Sequence, residues 1–388
     1  MMRVVIIFAI VVALFAPFNI VAVRLLTRLH PRRRRIVFAL AVICNLMWLF
    51  FPTLNARTDF SRIGRAILGP PWFAWLSFVI VYSMLIALAL VAWIPFRKRT
   101  TFDDFARRPS RVFLWIVLIG SVVGVYQALV PLRVEHVPVH VAGLAGKKLV
   151  LIADLHTGLF TRRSRLETIF RTAAAQNPDA ILLAGDLIDD DPYFTPKLIA
   201  STKVVPPSIP ILATLGNHET YGAPFEHIAK MRGSRIRLLV NEGFALGNIW
   251  IAGLSDYAAQ QRDVPQLVPN LDAALRGKPA DAIPVLVAHQ PKAFADAKKH
   301  AIPLTLAAHT HGGQCGIRPL HLTLAGVFVK YDMGLYREGA SQLYVNTGTG
   351  YWLLPWRLGL SPEITVIELL PTPPTTAAAR PRPDRSPS

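Results

Sequence analysis

Four apolar stretches crowd the first third of the chain: Val4–Val23, Ile36–Phe51, Trp72–Phe96 and Val112–Leu132, of 20, 16, 25 and 21 residues. None contains Asp, Glu, Lys or Arg. A helix needs roughly 20 apolar residues to cross a bilayer, so three are long enough, and the second becomes so by taking in Pro52 to Leu54. Four such runs separated by arginine clusters argue against buried core helices. The first run is too long for a signal-peptide core and has no small-x-small cleavage site before Arg24, so it reads as an uncleaved span. We expect residues 1–132 to form a four-span membrane anchor. That region accounts for the 52% hydrophobic content and the mean hydropathy of +0.38.

The net charge of +18 raises the question of nucleic acid, and its distribution answers it. Residues 1–133 hold 17 Lys and Arg against Asp59, Asp103 and Asp104, whereas residues 134–370 hold 22 basic against 20 acidic residues. Groove or phosphate-backbone binding wants basicity on a folded face, so no nucleic-acid partner is expected. The arginines instead orient the spans. Six basic residues lie between spans one and two and six between spans three and four, but only Arg57, Arg62 and Arg65 between spans two and three. Positive loops remain in the cytoplasm. A multi-pass protein of the cell inner membrane is expected, with its C-terminal domain on the periplasmic or extracellular side. Membrane lipids are the expected surroundings.

Past Leu132 the texture changes. Residues 133–146 read as a mixed connector, 147–370 as a globular α/β domain, and 371–388, rich in Pro, Ala and Arg, as a disordered tail. Cys44 and Cys315 are too differently placed to pair. Within 147–370 short apolar runs behave as buried strands, each followed by residues able to hold a metal: "KKLVLIADLH" by Asp154 and His156, "DAILLAGDLIDD" by Asp186, "IPILATLGNHE" by Asn217, His218 and Glu219, "IPVLVAHQP" by His289, and "LTLAAHTHGGQ" by His309 and His311. "RRSRLETIFRTAAAQNPD" has crossover-helix spacing. Ligands at the carboxyl ends of strands follow the rule for open α/β sheets. Hard oxygens and imidazoles without a thiolate cluster suit catalytic divalent ions better than structural zinc. Two imidazoles one residue apart, His309 and His311, can serve one centre or two adjacent ones.

The order D-x-H, G-D, G-N-H-E, a lone His and A-H-x-H-G-G, over roughly 147–350, resembles the calcineurin-like metallophosphoesterase superfamily, and within it the membrane-anchored YkuE/YaeI-type phosphoesterases. The one departure is Ala308, where Gly is common. The resemblance implies two packed mixed sheets flanked by helices and two divalent ions (Mn, Fe, Zn, Co or Ni). It implies that Asp154, His156 and His311 hold one ion, that Asn217, His289 and His309 hold the other, and that Asp186 bridges them. It implies that His218 faces the phosphate, as acid or charge stabiliser, and that Glu219 orients its loop. Gly253–Asp256 is similar to a family turn near the pocket.

Other residues carry less. Asp189, Asp190 and Asp191 read as a solvated loop in preference to a cation site. Trp352 and Trp356 form either an apolar lip or core packing. Arg162, Arg163 and Arg165 either meet anionic headgroups or open a solvated helix. His136, His140, His300 and His321 read as surface residues. The expected function is a membrane-anchored phosphoester hydrolase acting on a monoester, diester or pyrophosphate bond, with a lipid as the candidate substrate. The alternative is an inactive receptor or scaffold of the same fold. The spans lack the charges of a transport path.

Overall fold

The computed structural model describes residues 19–46, 59–144, 146–352 and 355–371. Helices α1 (residues 19–29), α2 (Arg34–Leu46), α3 (Asp59–Trp93) and α4 (Phe102–Leu129) open it. α3 and α4 run antiparallel: Trp93 meets Phe102 edge-on, Phe96 stacks on Phe105, and Tyr82 and Ser110 share a hydrogen bond of 2.5 Å. Leu26 and Leu29 of α1 pack on this pair beside Tyr82. Two segments, Ser77–Phe96 and Phe102–Leu129, are long and apolar enough to cross a membrane. They overlap the third and fourth expected spans. α2, with 13 residues, rises only about 20 Å. The rest of the second expected span and residues 4–18 of the first lie outside the described residues, as does the tail from 372.

The segment expected to be a connector is instead largely a strand, β1 (Arg133–His140), which begins four residues after α4 ends. Its alternation buries Val137 and Val139 and exposes Pro138, a period of two that fits a sheet edge. The remaining strands are β2 (Lys147–Ile152), β3 (Ala180–Ala184), β4 (Ile211–Thr214), β5 (Ile236–Leu238), β6 (Glu242–Leu246), β7 (Ile249–Gly253), β8 (Ile283–Val287), β9 (Leu304–Ala307), β10 (Gly316–Ile317), β11 (Leu322–Thr323), β12 (Gly334–Glu338), β13 (Ser341–Val345) and β14 (Glu363–Leu370).

Two mixed six-stranded sheets result, ordered β1-β14-β2-β3-β4-β5 and β12-β13-β9-β8-β7-β6, with β10 and β11 as a separate hairpin. Alternate residues decide the layers. Leu149, Leu151 and Leu182 face Ile251, Val287 and Leu306 between the sheets. Val150, Ile152 and Leu183 point the other way, onto Leu166, Ile169 and Phe170 of α5 (Arg163–Ala174). The outer face of the second sheet is covered by Phe294, Ala297 and Leu271. This is the expected architecture of packed mixed sheets flanked by helices. β2, β3 and β4 are parallel to one another, as are β7, β8 and β9, so the chain leaves each set at a common edge.

Glu363, fully buried at the start of β14, ties the sheets together. It accepts from Tyr344 of β13 at 2.6 Å, from Thr347 at 2.9 Å and from Arg318 at 2.6 Å. Burial would raise its pKa, but the Arg318 charge and these donors outweigh burial and hold the carboxyl below its ordinary 4.5. A depressed carboxyl stabilises fully above the unfolded value and loses that contribution as pH falls through the folded one. Glu363→Gln is therefore expected to cost about 3 kcal/mol at neutral pH. The deficit should shrink below about pH 4.5. Thermal unfolding of the detergent-solubilised chain against pH measures both.

Candidate metal centre

The carboxyl ends of β2, β3, β4, β8 and β9 bring all seven expected ligand residues together. Among the described residues, three groups have their ligand atoms within 4.8 Å of one another: Asp154–His156–His311 and Asp186–His289–His309, which are the two clusters of expected ligands, and His156–Asp189–His218, which shares His156 with the first. In the first, the Nε2 atoms of His156 and His311 are 3.1 Å apart, and His311 Nε2 is 3.5 Å from Asp154 Oδ1. In the second, His289 Nε2 lies 3.1 Å from Asp186 Oδ2, from Asn217 Oδ1 and from His309 Nδ1. Asp186 adjoins both clusters, its Oδ2 also 3.7 Å from His156 Nε2. His309 and His311 thus serve different clusters, which resolves the choice their spacing left open.

The local backbone is unusual. Asp154, His156, Asp186, His309 and His311 all have positive φ, between 42° and 75°. Such conformations cost of order 1–3 kcal/mol each for a side-chain-bearing residue and persist where the surroundings impose them. Gly312 follows at φ 58°, and a Cβ there would meet Leu360 at 2.5 Å, so the turn after His311 requires glycine.

A ring of residues aims the ligands. His289 Nδ1 donates to the Ala184 carbonyl at 2.9 Å, turning Nε2 toward the cluster. Asp189 lies 3.1 Å from His156 Nδ1. Arg357, fully buried, donates to His311 Nδ1 at 3.2 Å. Glu219 accepts the amides of Gly216, Asp186 and Ile188 at 2.7, 3.1 and 2.8 Å, clamping two ligand loops, as expected of a loop-orienting residue. His218, from the short helix Asn217–Tyr221, stands edge-on to His156 with ring centroids 4.7 Å apart. Its Nδ1 is 2.8 Å from Asp190, an ion pair without hydrogen-bond alignment. Asp191 is buried and pairs with Arg62 of α3 at 2.7 Å.

The expected solvated loop holds in part: Asp189 and Asp190 are half exposed, whereas Asp191 is buried. Each carboxylate holds a different partner, and charge patterning alone gave no sign of this because the partners are 33, 28 and 129 positions away. Arg357 was also missed: it sits in an apolar stretch with no motif. Asp256 is buried beside the site and accepts from Gln290 at 2.9 Å. Of the three arginines after the first motif, Arg162 and Arg163 are exposed, Arg163 pairing with Glu167, and Arg165 donates to the Val130 and Pro131 carbonyls just past α4. His136, His140 and His300 are at the surface, as expected.

The electrostatics fit divalent ions. Asp154 Oδ1 is buried with no hydrogen-bond partner, a costly state for a carboxylate oxygen unless a cation meets it. Burial, and the neighbouring Asp186, raise the Asp154 pKa to about 6. Burial would lower that of His289, but the Asp186 carboxylate outweighs it and drives it well up, so positive charge is favoured at this point. Burial, then the charge of His289, lowers His309 to about 3, and burial with His156 and Arg357 lowers His311 further below its ordinary value. Neutral imidazoles offer lone pairs to an ion. Burial would likewise lower His218, but Asp190 and Asp186 raise it to about 9, leaving a cation at neutral pH. Ion binding should stabilise the fold by about 2.7 kcal/mol at a hundredfold excess over Kd. Melting the detergent-solubilised chain with Mn²⁺ or Zn²⁺ and again with a chelator measures that gain; Asp154→Asn should reduce it.

Comparison with known proteins agrees with this geometry. The profile of the calcineurin-like phosphoesterase domain matches residues 147–313. An uncharacterized metallophosphoesterase of Helicobacter pylori is 29% identical over 371 residues, covering 86% of this chain and 97% of that protein. A protein of Danio rerio named transmembrane protein with metallophosphoesterase domain is 30% identical over 327 residues, 77% of this chain and 74% of its own. The uncharacterized metallophosphoesterase YkuE of Bacillus subtilis is 27% identical over 59% of this chain and 81% of its own. With the family profile spanning the candidate ligand loops and a 30% identical relative covering 77% of its length, the chain belongs to the calcineurin-like phosphoesterase family.

Proposed function

We propose that the protein is a membrane-anchored hydrolase that cleaves a phosphomonoester, phosphodiester or pyrophosphate bond with two divalent ions. The observation that carries this reading is the meeting of two clusters of candidate ligands on one carboxylate, Asp186, with the His218 ring edge-on to His156 beside them. Asp154, His156 and His311 would hold one ion, and Asn217, His289 and His309 the other. Such a pair supplies Lewis acidity toward a phosphoryl group and toward the attacking water. Asp189 and Arg357 keep His156 and His311 in place. His218, held as a cation by Asp190, can stabilise charge on the phosphoryl oxygens or give its proton to the leaving oxygen. A complete ligand set argues against an inactive scaffold. Asp186→Asn should abolish metal-dependent turnover of a generic phosphodiester while keeping the fold. His218→Ala should keep both ions and lose on the order of 10²-fold in rate. At most one ion per active chain, or loss of metal from His218→Ala, would overturn the assignment of roles.

The anchor and its orientation belong to the same proposal. The apolar segments Ser77–Phe96 and Phe102–Leu129 support it, as does the name of the Danio rerio relative. The distribution of basic residues between the apolar segments favours a catalytic domain outside the cytoplasm. Alkaline phosphatase fused after residue 370 should be active, and fused within 97–111 inactive; the reverse pattern would invert the topology. A lipid phosphoester is the favoured substrate. Only residues 130–132 separate α4 from β1, so the metal centre stays near the bilayer, where a lipid headgroup is already concentrated.

A further inference from the structure

The hairpin of β10 and β11, with the turns on either side, leaves large apolar side chains in the open. Leu320, Leu322 and Leu324 are about half exposed, Val327 is 73% and Phe328 81% exposed. From Gly316 to Val329 the one formal charge is Arg318, which is paired with Glu363. A contiguous apolar surface of this kind marks an interaction site.

Its surroundings say what covers it. Gly316 donates to the Leu358 carbonyl at 2.9 Å and Leu358 to the Gln314 carbonyl at 2.8 Å, so the hairpin is stitched to the segment 356–360. That segment is bonded to α4: Arg357 N–H donates to the Gly124 carbonyl at 2.9 Å, and Gly359 N–H to the Gln127 side chain at 2.7 Å. The Trp356 indole lies so close over Gly124 that a Cβ there would be 2.2 Å from its Nε1. Gly124 is five residues before the end of α4 and inside its apolar segment, about 7 Å along the axis from the last turn. Part of the catalytic domain is therefore level with the apolar length of the helix. On the other side the hairpin adjoins the metal centre. His311–Gln314 leads directly into it, and Gln314 exchanges hydrogen bonds of 2.8 and 3.2 Å with the Trp352 backbone. The Trp352 ring, 45% exposed, is 6.4 Å from His218.

We propose that the apolar surface of residues 317–329 is seated in the acyl region of the same bilayer leaflet that α4 enters, which sets the mouth of the metal centre, at Trp352, against the lipid headgroups. This inference rests on the membrane anchoring proposed above, and the test separates the two. Nitroxide labels are placed singly at Phe328→Cys, at Val122→Cys on the exposed face of α4, and at Asp281→Cys on the far surface of the domain, each with Cys44→Ser and Cys315→Ser. The full chain is reconstituted in vesicles of phosphatidylcholine and phosphatidylglycerol. Collisions with oxygen are compared with collisions with a water-soluble nickel chelate. Oxygen should dominate at Val122 and Phe328, and the chelate at Asp281. Oxygen dominance at Val122 with chelate dominance at Phe328 would keep the anchor and overturn the seat. Chelate dominance at both would overturn anchor and seat together. Spin–spin broadening at Phe328 would show that a second copy covers the surface, and would also overturn the seat.

Discussion

The structure depends on holding two carboxylates and four imidazoles, all buried except His309, within a few ångströms of one another. Asp154 and Asp186 repel, and burial penalises both; the pair favours positive charge at this point, and His289, turned by the Ala184 carbonyl, aims its Nε2 there, 3.1 Å from Asp186. Such a cluster is unfavourable unless the surrounding fold imposes it. Five left-handed ligand residues show the backbone under the same constraint. Two six-stranded sheets packed face to face provide the rigidity, and their parallel strands deliver the ligands to one edge.

Around that cluster lies a set of carboxylates and cations whose work is positional. Asp189 and Asp190 hold the far sides of His156 and His218, Glu219 clamps two ligand loops, and Arg357 braces His311. Two of these braces continue into the helical region. Asp191, next to Asp190, pairs with Arg62 of α3, and the backbone of Arg357 is bonded to α4. The helices are thus fastened to the loops that aim the ligands, so displacement of either helix would bear on the site. A tether of three residues, with no flexible connector, is consistent with that fastening.

Much of this was legible in the sequence. Strands ending in Asp, Asn or His announced both the α/β layering and the seven candidate ligands that the fold brings together, because a buried strand needs a continuous apolar run and a metal needs particular donor atoms; both are properties of residue type and short spacing. The basic loops and apolar runs announced the helical region in the same way. What was missed depended on distance. Residues 133–146 lack a strong apolar run and read as a connector, yet Arg133–His140 completes a sheet because β14, more than 200 positions later, offers an edge to pair with.

The sequence by itself thus determined the fold class, the ligand chemistry and the apolar character of the first third, since each follows from local composition and periodicity. Tertiary structure alone decided which imidazole joins which cluster and set Asp190 and Asp186 near His218, which raise its pKa. It also turned three adjacent aspartates into three separate braces and set an apolar hairpin beside α4. Those outcomes rest on contacts between residues far apart in the chain, where charge and packing are fixed by the way the two sheets close and not by any neighbour in sequence.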